Sequence, residues 1–234
     1  VTPLLARRAL AEFVGTAFLV AAVIGSGIAA VRLSPTDEGL QLLENSVVTG
    51  AALVALISAL QPVSAAFNPV VTLVERAFGQ LDNGEVTVLI GAQILGGFLG
   101  AVIANLMFDH SAVELASRHR SGGGVWLAEL VATVGLLIVV FGASRSGRTD
   151  RVAYAVGGFI TAAYWFTSST SFANPAVTIA RMFSDSFAGI APGSVPMFVV
   201  MQVVGGVVGY GLIRGLYPTS VPGPAARAMG VRTR

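Results

Sequence analysis

The chain of 234 residues contains no cysteine. Disulfides, thiolate metal sites and cysteine nucleophiles are therefore excluded. It also contains no lysine: the fourteen basic residues are all arginine, a bias that reads as genomic base composition rather than chemistry. Charge of either sign is scarce. Only 11% of residues are charged, against about 25% in a soluble domain. Apolar residues fill the gap, at 54% of the chain with a mean hydropathy of +0.79. These values describe an integral membrane protein. A net charge of +2 and a pI near 9.5 would suggest nucleic acid as the partner of a soluble protein. Here the arginines fall mostly between apolar runs, which fits membrane topology and leaves nucleic acid out. Arg7 and Arg8 precede the first run, but no small-residue cleavage site follows it, so no removable signal peptide is expected.

Uncharged runs count the crossings. They cover 13–31, 45–74, 86–108, 130–144, 152–180 and 186–213. A helix needs about 20 residues to cross roughly 30 Å of hydrocarbon. Runs 13–31 and 86–108 supply one span each. Run 130–144 extends back past Glu129 to about Val125, and the last run starts its helix near Val195, beyond Pro192-Gly193. The other two runs are too long, because thirty residues as one helix would reach about 45 Å. Both contain Asn-Pro. Each therefore divides into a full span and a short element that starts at the Asn. The resulting fold class is an all-α membrane protein with six full helices, about 8–31, 43–60, 85–107, 125–143, 152–168 and 195–216. Two half-helices, about 69–78 and 175–184, dip in without crossing.

Arginine placement orients this bundle. Arg7 and Arg8, then Arg145, Arg148 and Arg151, then Arg227, Arg232 and Arg234 all fall on one side of six spans. Asp37, Glu38, Glu44 and Glu114 fall on the other. The expectation is a multi-pass protein of the cell inner membrane with both termini cytoplasmic. Residues 1–217 form a single channel domain, and the Pro-, Gly- and Ala-rich stretch 218–234 is expected to be a mobile cytoplasmic tail.

The chain repeats itself. Phe67-Asn68-Pro69-Val70-Val71-Thr72 recurs as Ala173-Asn174-Pro175-Ala176-Val177-Thr178. Ala11-Glu12-Phe13-Val14-Gly15-Thr16 recurs as Ala128-Glu129-Leu130-Val131-Ala132-Thr133, and Gln93-x-x-Gly96-Gly97 as Gln202-x-x-Gly205-Gly206. The repeats span about 8–108 and 125–216. Three spans per repeat is an odd number, so the second repeat enters from the opposite face. The two Asn-Pro ends can then meet near mid-membrane. Pro suits the first helical turn, and Asn before it is a favoured N-cap whose NH2 is left to point outward. Irregular backbone at this depth is tolerated only inside protein or along a watery cavity. Two helix N-termini at one point repel cations, and Asn amides donate to a neutral passing oxygen. This describes a pore for small uncharged hydroxylated molecules.

With Asn68-Pro69-Val70, Asn174-Pro175-Ala176, Glu12, Glu129, Gln93 and Gln202 in these places, the chain resembles the aquaporin and glycerol-facilitator superfamily over about residues 8–216. The resemblance implies an aquaporin-like right-handed bundle and a homotetramer of independent pores. It implies membrane lipid and small permeants as partners, with no cofactor and no metal. It also implies that the two Asn-Pro motifs form a central constriction.

Two departures stand out. Val70 replaces the usual Ala and adds two methyls beside that constriction. Val177 stands where most members carry the filter arginine, and Thr178 where glycerol facilitators commonly carry an acid. Counting from the motifs as the family does gives a filter of Thr49, Ala162, Ser171 and Val177, with Val48 in place of Thr49 if the first loop has the usual length. That filter has no aromatic ring and no charge. It implies a wide mouth open to glycerol, urea and neutral metalloids such as arsenous acid. Mainly water-selective conduction and a proton-coupled transporter are the alternatives.

Other residues have two readings each. Arg181, four after Val177, either restores charge at the outer mouth or is solvated, capping or pairing with Asp185. The second is the simpler. Glu12 and Glu129 are either a proton relay or acceptors for the re-entrant loops, and their symmetry favours support. Gln93 and Gln202 read as loop or interhelical hydrogen bonding. Gly96-x-x-x-Gly100 and Gly205-x-x-x-Gly209 read as close helix contacts. His110 and His119, with Asp109 and Glu114, read as an exposed loop rather than a metal site. Phe67, Phe172, Tyr164 and Trp165 read as vestibule lining or packing.

Overall fold

Local capping chemistry sets where each helix starts. In the computed structural model, which describes residues 2–217, the Thr2 hydroxyl accepts from Leu5 N at 3.3 Å and opens α1 (Pro3–Leu33). Asp37 accepts from Leu40 N at 2.9 Å and opens α2 (Glu38–Leu60). Asp82 and Glu85 form a reciprocal capping box at the start of α4 (Asn83–Met107). These polar turns explain why the helices begin earlier than the uncharged runs do. Between α2 and α4 lies the half-helix α3 (Pro69–Ala77).

The second repeat follows the same plan with α5 (Gly123–Arg145), α6 (Val152–Phe166), the half-helix α7 (Pro175–Ala180) and α8 (Val195–Leu216). Helices α1, α2, α4, α5 and α8 are long and apolar enough to cross a membrane. Helix α6 has 15 residues, and a 3-10 turn over Thr149–Arg151 leads into it. It completes the six. Helix α7 is shorter than the expected 175–184, because Arg181–Phe183 tighten into a 3-10 turn. The expected tail, with Arg227, Arg232 and Arg234, lies outside the described residues.

Several contacts place the start of α1 and the end of α8 at one end of the bundle. Arg8 pairs with Glu85 at 3.0 Å. Tyr210 donates to Ala77 O at 3.4 Å, and Arg145 to Tyr217 O at 3.3 Å. At the other end, the 108–122 connection lies against the chain that follows α7. Glu114 N donates to Phe183 O, Ala116 N to Met182 O and Ala191 N to Arg118 O. His110 sits 3.3 Å from the Glu114 carboxylate. The Ser111 N–H, with His110 beside it, holds that carboxyl below its ordinary range.

Small residues let equivalent helices touch. A Cβ on Gly96 or Gly100 would strike the Phe13 or Ala17 carbonyl of α1, and one on Gly205 would come within 3.0 Å of Leu130 O of α5. Gly50 of α2 and Gly157 of α6 each face the other's carbonyl across the two repeats. Such close approach is how helices associate where lipid offers no hydrophobic drive. Gly15 does a different job, because a Cβ there would enter the Phe67 ring. The equivalent pair in the second repeat is Ala132 beside Ala173, both fully buried.

Gly100→Val is expected to destabilise the fold by about 1–3 kcal/mol through overpacking. Gly91, whose new Cβ would meet nothing within 4 Å, serves as the control; Gly91→Ala should be neutral or slightly stabilising. Thermal unfolding in detergent compares them, and equal melting temperatures would count against the close-packing account.

Candidate functional site

The two half-helices meet end to end. Asn68 caps α3 by accepting from Val70 N at 3.0 Å, and Asn174 caps α7 by accepting from Ala176 N at 3.0 Å and Val177 N at 3.3 Å. Each amide then reaches across the repeat. Asn68 Nδ2 donates to Ala173 O at 2.7 Å, and Asn174 Nδ2 donates to Phe67 O at 2.7 Å. The sequence reading left these NH2 groups wholly free. In the structure each spends one proton on this cross-brace and keeps one. Both accepting residues hold left-handed backbone, with φ of 48° at Phe67 and 48° at Ala173. For a residue as bulky as Phe this is costly.

A second polar layer holds those loops. Glu12 accepts from Ala66 N at 2.8 Å, Phe67 N at 2.7 Å, Ser64 Oγ at 2.5 Å and Gln93 Nε2 at 2.8 Å. Glu129 accepts from Phe172 N at 2.9 Å, Ala173 N at 2.9 Å and Gln202 Nε2 at 2.6 Å. Gln93 and Gln202 each also donate to a half-helix threonine, Thr72 at 3.0 Å and Thr178 at 2.8 Å. All four side chains are fully buried. Both carboxylates thus act as acceptors for the re-entrant backbone, with donors on every oxygen.

A cavity of about 80 Å³ runs past the two Asn residues. Its walls are ladders of residues four apart. Helix α6 contributes Val152, Val156, Ile160 and Tyr164, and α2 contributes Thr49, Leu53 and Ile57. The half-helices contribute Val71 and Val177, which are equivalent in the repeat. The walls are mostly apolar. Polar groups gather at the Asn pair and at the end near the 108–122 connection, where Thr49, Tyr164, Ser171 and Arg181 line the space. Thr49 Oγ1 and Tyr164 OH share a hydrogen bond of 3.2 Å. The Ser171 hydroxyl is buried and has no partner among the described residues.

Of the filter expected from sequence, the cavity brings together Thr49, Ser171 and Val177. Ala162 is corrected: it is exposed on the outside of α6, and Tyr164 takes the inward place. Ten positions rather than twelve separate that place from Asn174. The i, i+4 ladder from Val152 is the signal that finds Tyr164. Val70 is corrected as well. It points away from the cavity, packs with Leu137 and Ile213, and fills the space left by Gly206. Pro69, Pro175 and Ala176 are buried in the first turns of their half-helices.

The simpler reading of Arg181, a solvated residue pairing with Asp185, is also corrected. Arg181 is neither solvated nor paired with Asp185, being 2% exposed with its Cζ 3.5 Å from the Phe172 ring centroid. Asp185 accepts instead from Ser117 N and Oγ, each at 2.9 Å. Arg120, unremarked in the sequence, lies 5.1 Å over the same ring. Burial, with Arg181 and Arg118 near, pushes its pKa down to about 9, so it stays charged at neutral pH. This end therefore holds both an aromatic hydroxyl and cationic charge, where an uncharged, ring-free filter was expected. Trp165 stands half-exposed on α6 and donates to Ser46 Oγ at 3.2 Å.

Known proteins resemble this chain along its length. A family model described as "Major intrinsic protein" matches residues 1–151 and 143–232. An "Aquaglyceroporin AqpS" from Rhizobium meliloti is 44% identical over 219 residues, covering 93% of each chain. An "Aquaporin AqpM" from Methanothermobacter thermautotrophicus is 30% identical over 236 residues, covering 87% of this chain and 94% of the other. The X-ray structure of the aquaglyceroporin from Plasmodium falciparum superposes with a TM-score of 0.71 at 20% identity, covering 96% of this chain and 99% of that one. At that identity the likeness speaks for the fold.

Glu12→Gln and Glu129→Gln each turn one acceptor oxygen into a donor that faces other donors. Each is expected to cost about 1–3 kcal/mol. The drop should be larger at Glu12, which carries the extra Ser64 bond. Melting temperature and water flux on the same preparations test this; unchanged stability in both would remove the support role.

Proposed function

The chain belongs to the major intrinsic protein family, and from that premise we propose that it is a broad-selectivity pore whose permeants include solutes larger than water. It is a passive membrane channel, not an enzyme, for water and small neutral solutes such as glycerol. Urea and neutral hydroxylated metalloids such as arsenous acid are the finer candidates. One observation carries the broad reading: the residue after the second Asn-Pro-Ala is Val177, so no guanidinium crowds the cavity from that position. The Tyr164 hydroxyl shares a hydrogen bond with Thr49, which leaves one polar site fewer for a permeant at the mouth.

The pore acts through position and charge. Apolar ladders offer a permeant nothing to hold, and the remaining Asn68 and Asn174 amide protons offer a donor at the centre. Facing half-helix N-termini at that point disfavour cations. A mainly water-selective pore is the second reading, favoured by Tyr164 and Arg181 at the outer end. A proton-coupled transporter finds little support. It needs a titratable group free to exchange at midplane, and Glu12 and Glu129 have both oxygens engaged. A homotetramer in the cell inner membrane, termini cytoplasmic, completes the proposal. Its support is the family's build and the arginines at the α1-start, α8-end face.

Stopped-flow light scattering on proteoliposomes compares shrinkage in an impermeant osmolyte with re-swelling in glycerol and urea. Fast re-swelling, indifferent to pH and sodium gradients, is the expected result. Fast water with slow solutes would establish the water-selective reading instead. Val177→Arg is expected to slow glycerol about tenfold, the effect of roughly 1.4 kcal/mol in the barrier, and to slow water less. Equal retention of both fluxes would mean that Val177 does not face the constriction.

A further inference from the structure

Arg181 has more holding it than a packing residue needs. Its Nε donates to Ala188 O, and its guanidinium lies flat enough on Phe172 for the Cζ to approach the ring centroid to 3.5 Å. The ring is contacted by a second guanidinium, that of Arg120. Arg120 is itself fastened by Gly189 O at 3.0 Å, Phe187 O at 3.3 Å and Ser169 O at 3.5 Å, with its backbone N donating to Ser194 Oγ at 3.0 Å. Arg181 reaches the cavity wall from this stack. Among the described residues no carboxylate pairs with it, and no acceptor engages its Nη groups. Ser171, with its unpartnered hydroxyl, lines the same end.

We propose that Arg181 is the fixed cation of the outer filter, supplied from one turn beyond the residue that follows the Asn-Pro-Ala motif, with Phe172 and Arg120 as its positioning residues. The inference rests on the reading of this cavity as the conduction path. Four helical residues amount to about 6 Å of rise. The filter is therefore divided along the pore. Val177 supplies an apolar wall, and the charge comes from a backbone position farther along, with its guanidinium held on the Phe172 ring. A guanidinium with free Nη groups donates to an acceptor oxygen on the permeant, and its charge, with no carboxylate at ion-pair distance among the described residues, repels hydronium and metal cations before they reach the centre. Stacking and the Ala188 carbonyl hold the plane, so a donor is placed without an acid that would neutralise it. The division would let the chain dispense with arginine at position 177 and still disfavour protons.

The test measures proton leak in proteoliposomes, using an internal pH dye under valinomycin-set potentials. Water and glycerol flux are recorded on the same vesicles. Arg181→Met is expected to keep water flux and raise the leak about tenfold or more, as loss of one nearby charge predicts. Arg181→Lys should leak less than Arg181→Met, because the charge survives without the stack. Adding Val177→Arg to Arg181→Met should close the leak again and slow glycerol. A water-conducting Arg181→Met with the parent's leak would overturn the proposal. If Arg181→Met carries no water, the comparison passes to the ring. Phe172→Leu should leak more than Phe172→Tyr, and equal leak in the two would overturn it. A parent that conducts water but no glycerol refutes the broad-pore reading alone and leaves the leak comparison intact.

Discussion

The structure depends on two reciprocal hydrogen bonds at its centre, Asn68 Nδ2 to Ala173 O and Asn174 Nδ2 to Phe67 O. In hydrocarbon an unsatisfied backbone group costs several kcal/mol. Two chains that enter the membrane and turn back leave many such groups. The cross-brace satisfies a carbonyl of each loop with the amide of the other, so neither half-helix can take its place alone. Everything outward of it follows the same requirement. Glu12 and Glu129 take the N–H groups on the loop side, and Gln93 and Gln202 tie those carboxylates to the threonines of the half-helices. A pore lined this way has its polar groups already committed to the protein. Few remain to bind a permeant, which is what passage requires.

Much of this was legible because membrane depth turns run length into topology. Runs 45–74 and 152–180 were too long for one span, and the structure divides both at the Asn-Pro. Glu12, Glu129, Gln93 and Gln202 were legible because a repeat shows the same demand twice. What stayed hidden depends on loops. The length of the 167–174 segment decides which residue of α6 is level with Ser171, and the family's usual count pointed to Ala162 instead of Tyr164. The facing of Val70 depends on the gap at Gly206, from a helix more than a hundred residues away in sequence. The direction of Arg181 depends on Phe172 and on the Ala188 carbonyl, which only the fold brings together.

The repeat is symmetric in its hydrogen bonds and asymmetric in its packing. Left-handed backbone occurs at Phe67 and at Ala173 alike, but the Phe ring needs the missing Cβ of Gly15, whereas the second repeat carries a buried Ala at both matching places, 132 and 173. Val70 fills against Gly206, and its counterpart Ala176 lies with its carbonyl near the Cβ position of Gly97. Volume lost on one element is returned on its neighbour, as dense packing demands. Departures from the repeated motif at 67 and 70 are therefore matched to the surrounding helices, and reading Val70 as a change to the pore mistakes which face it occupies.

The same asymmetry reaches charge. The position in the first repeat equivalent to Arg181 is Glu75, 106 residues earlier, half-buried on α3. One half-helix thus carries a cation toward one mouth, and the other carries an acid at the matching place. The symmetric scaffold fixes the centre, where both ends must look alike to a neutral solute. The mouths face different compartments and are free to differ. Arginine suits position 181 because a flat guanidinium can be held by a ring and a carbonyl and still keep donors to spare. A lysine there would keep the charge but lose the stack on Phe172 and the planar fork that holds the group while leaving donors to spare.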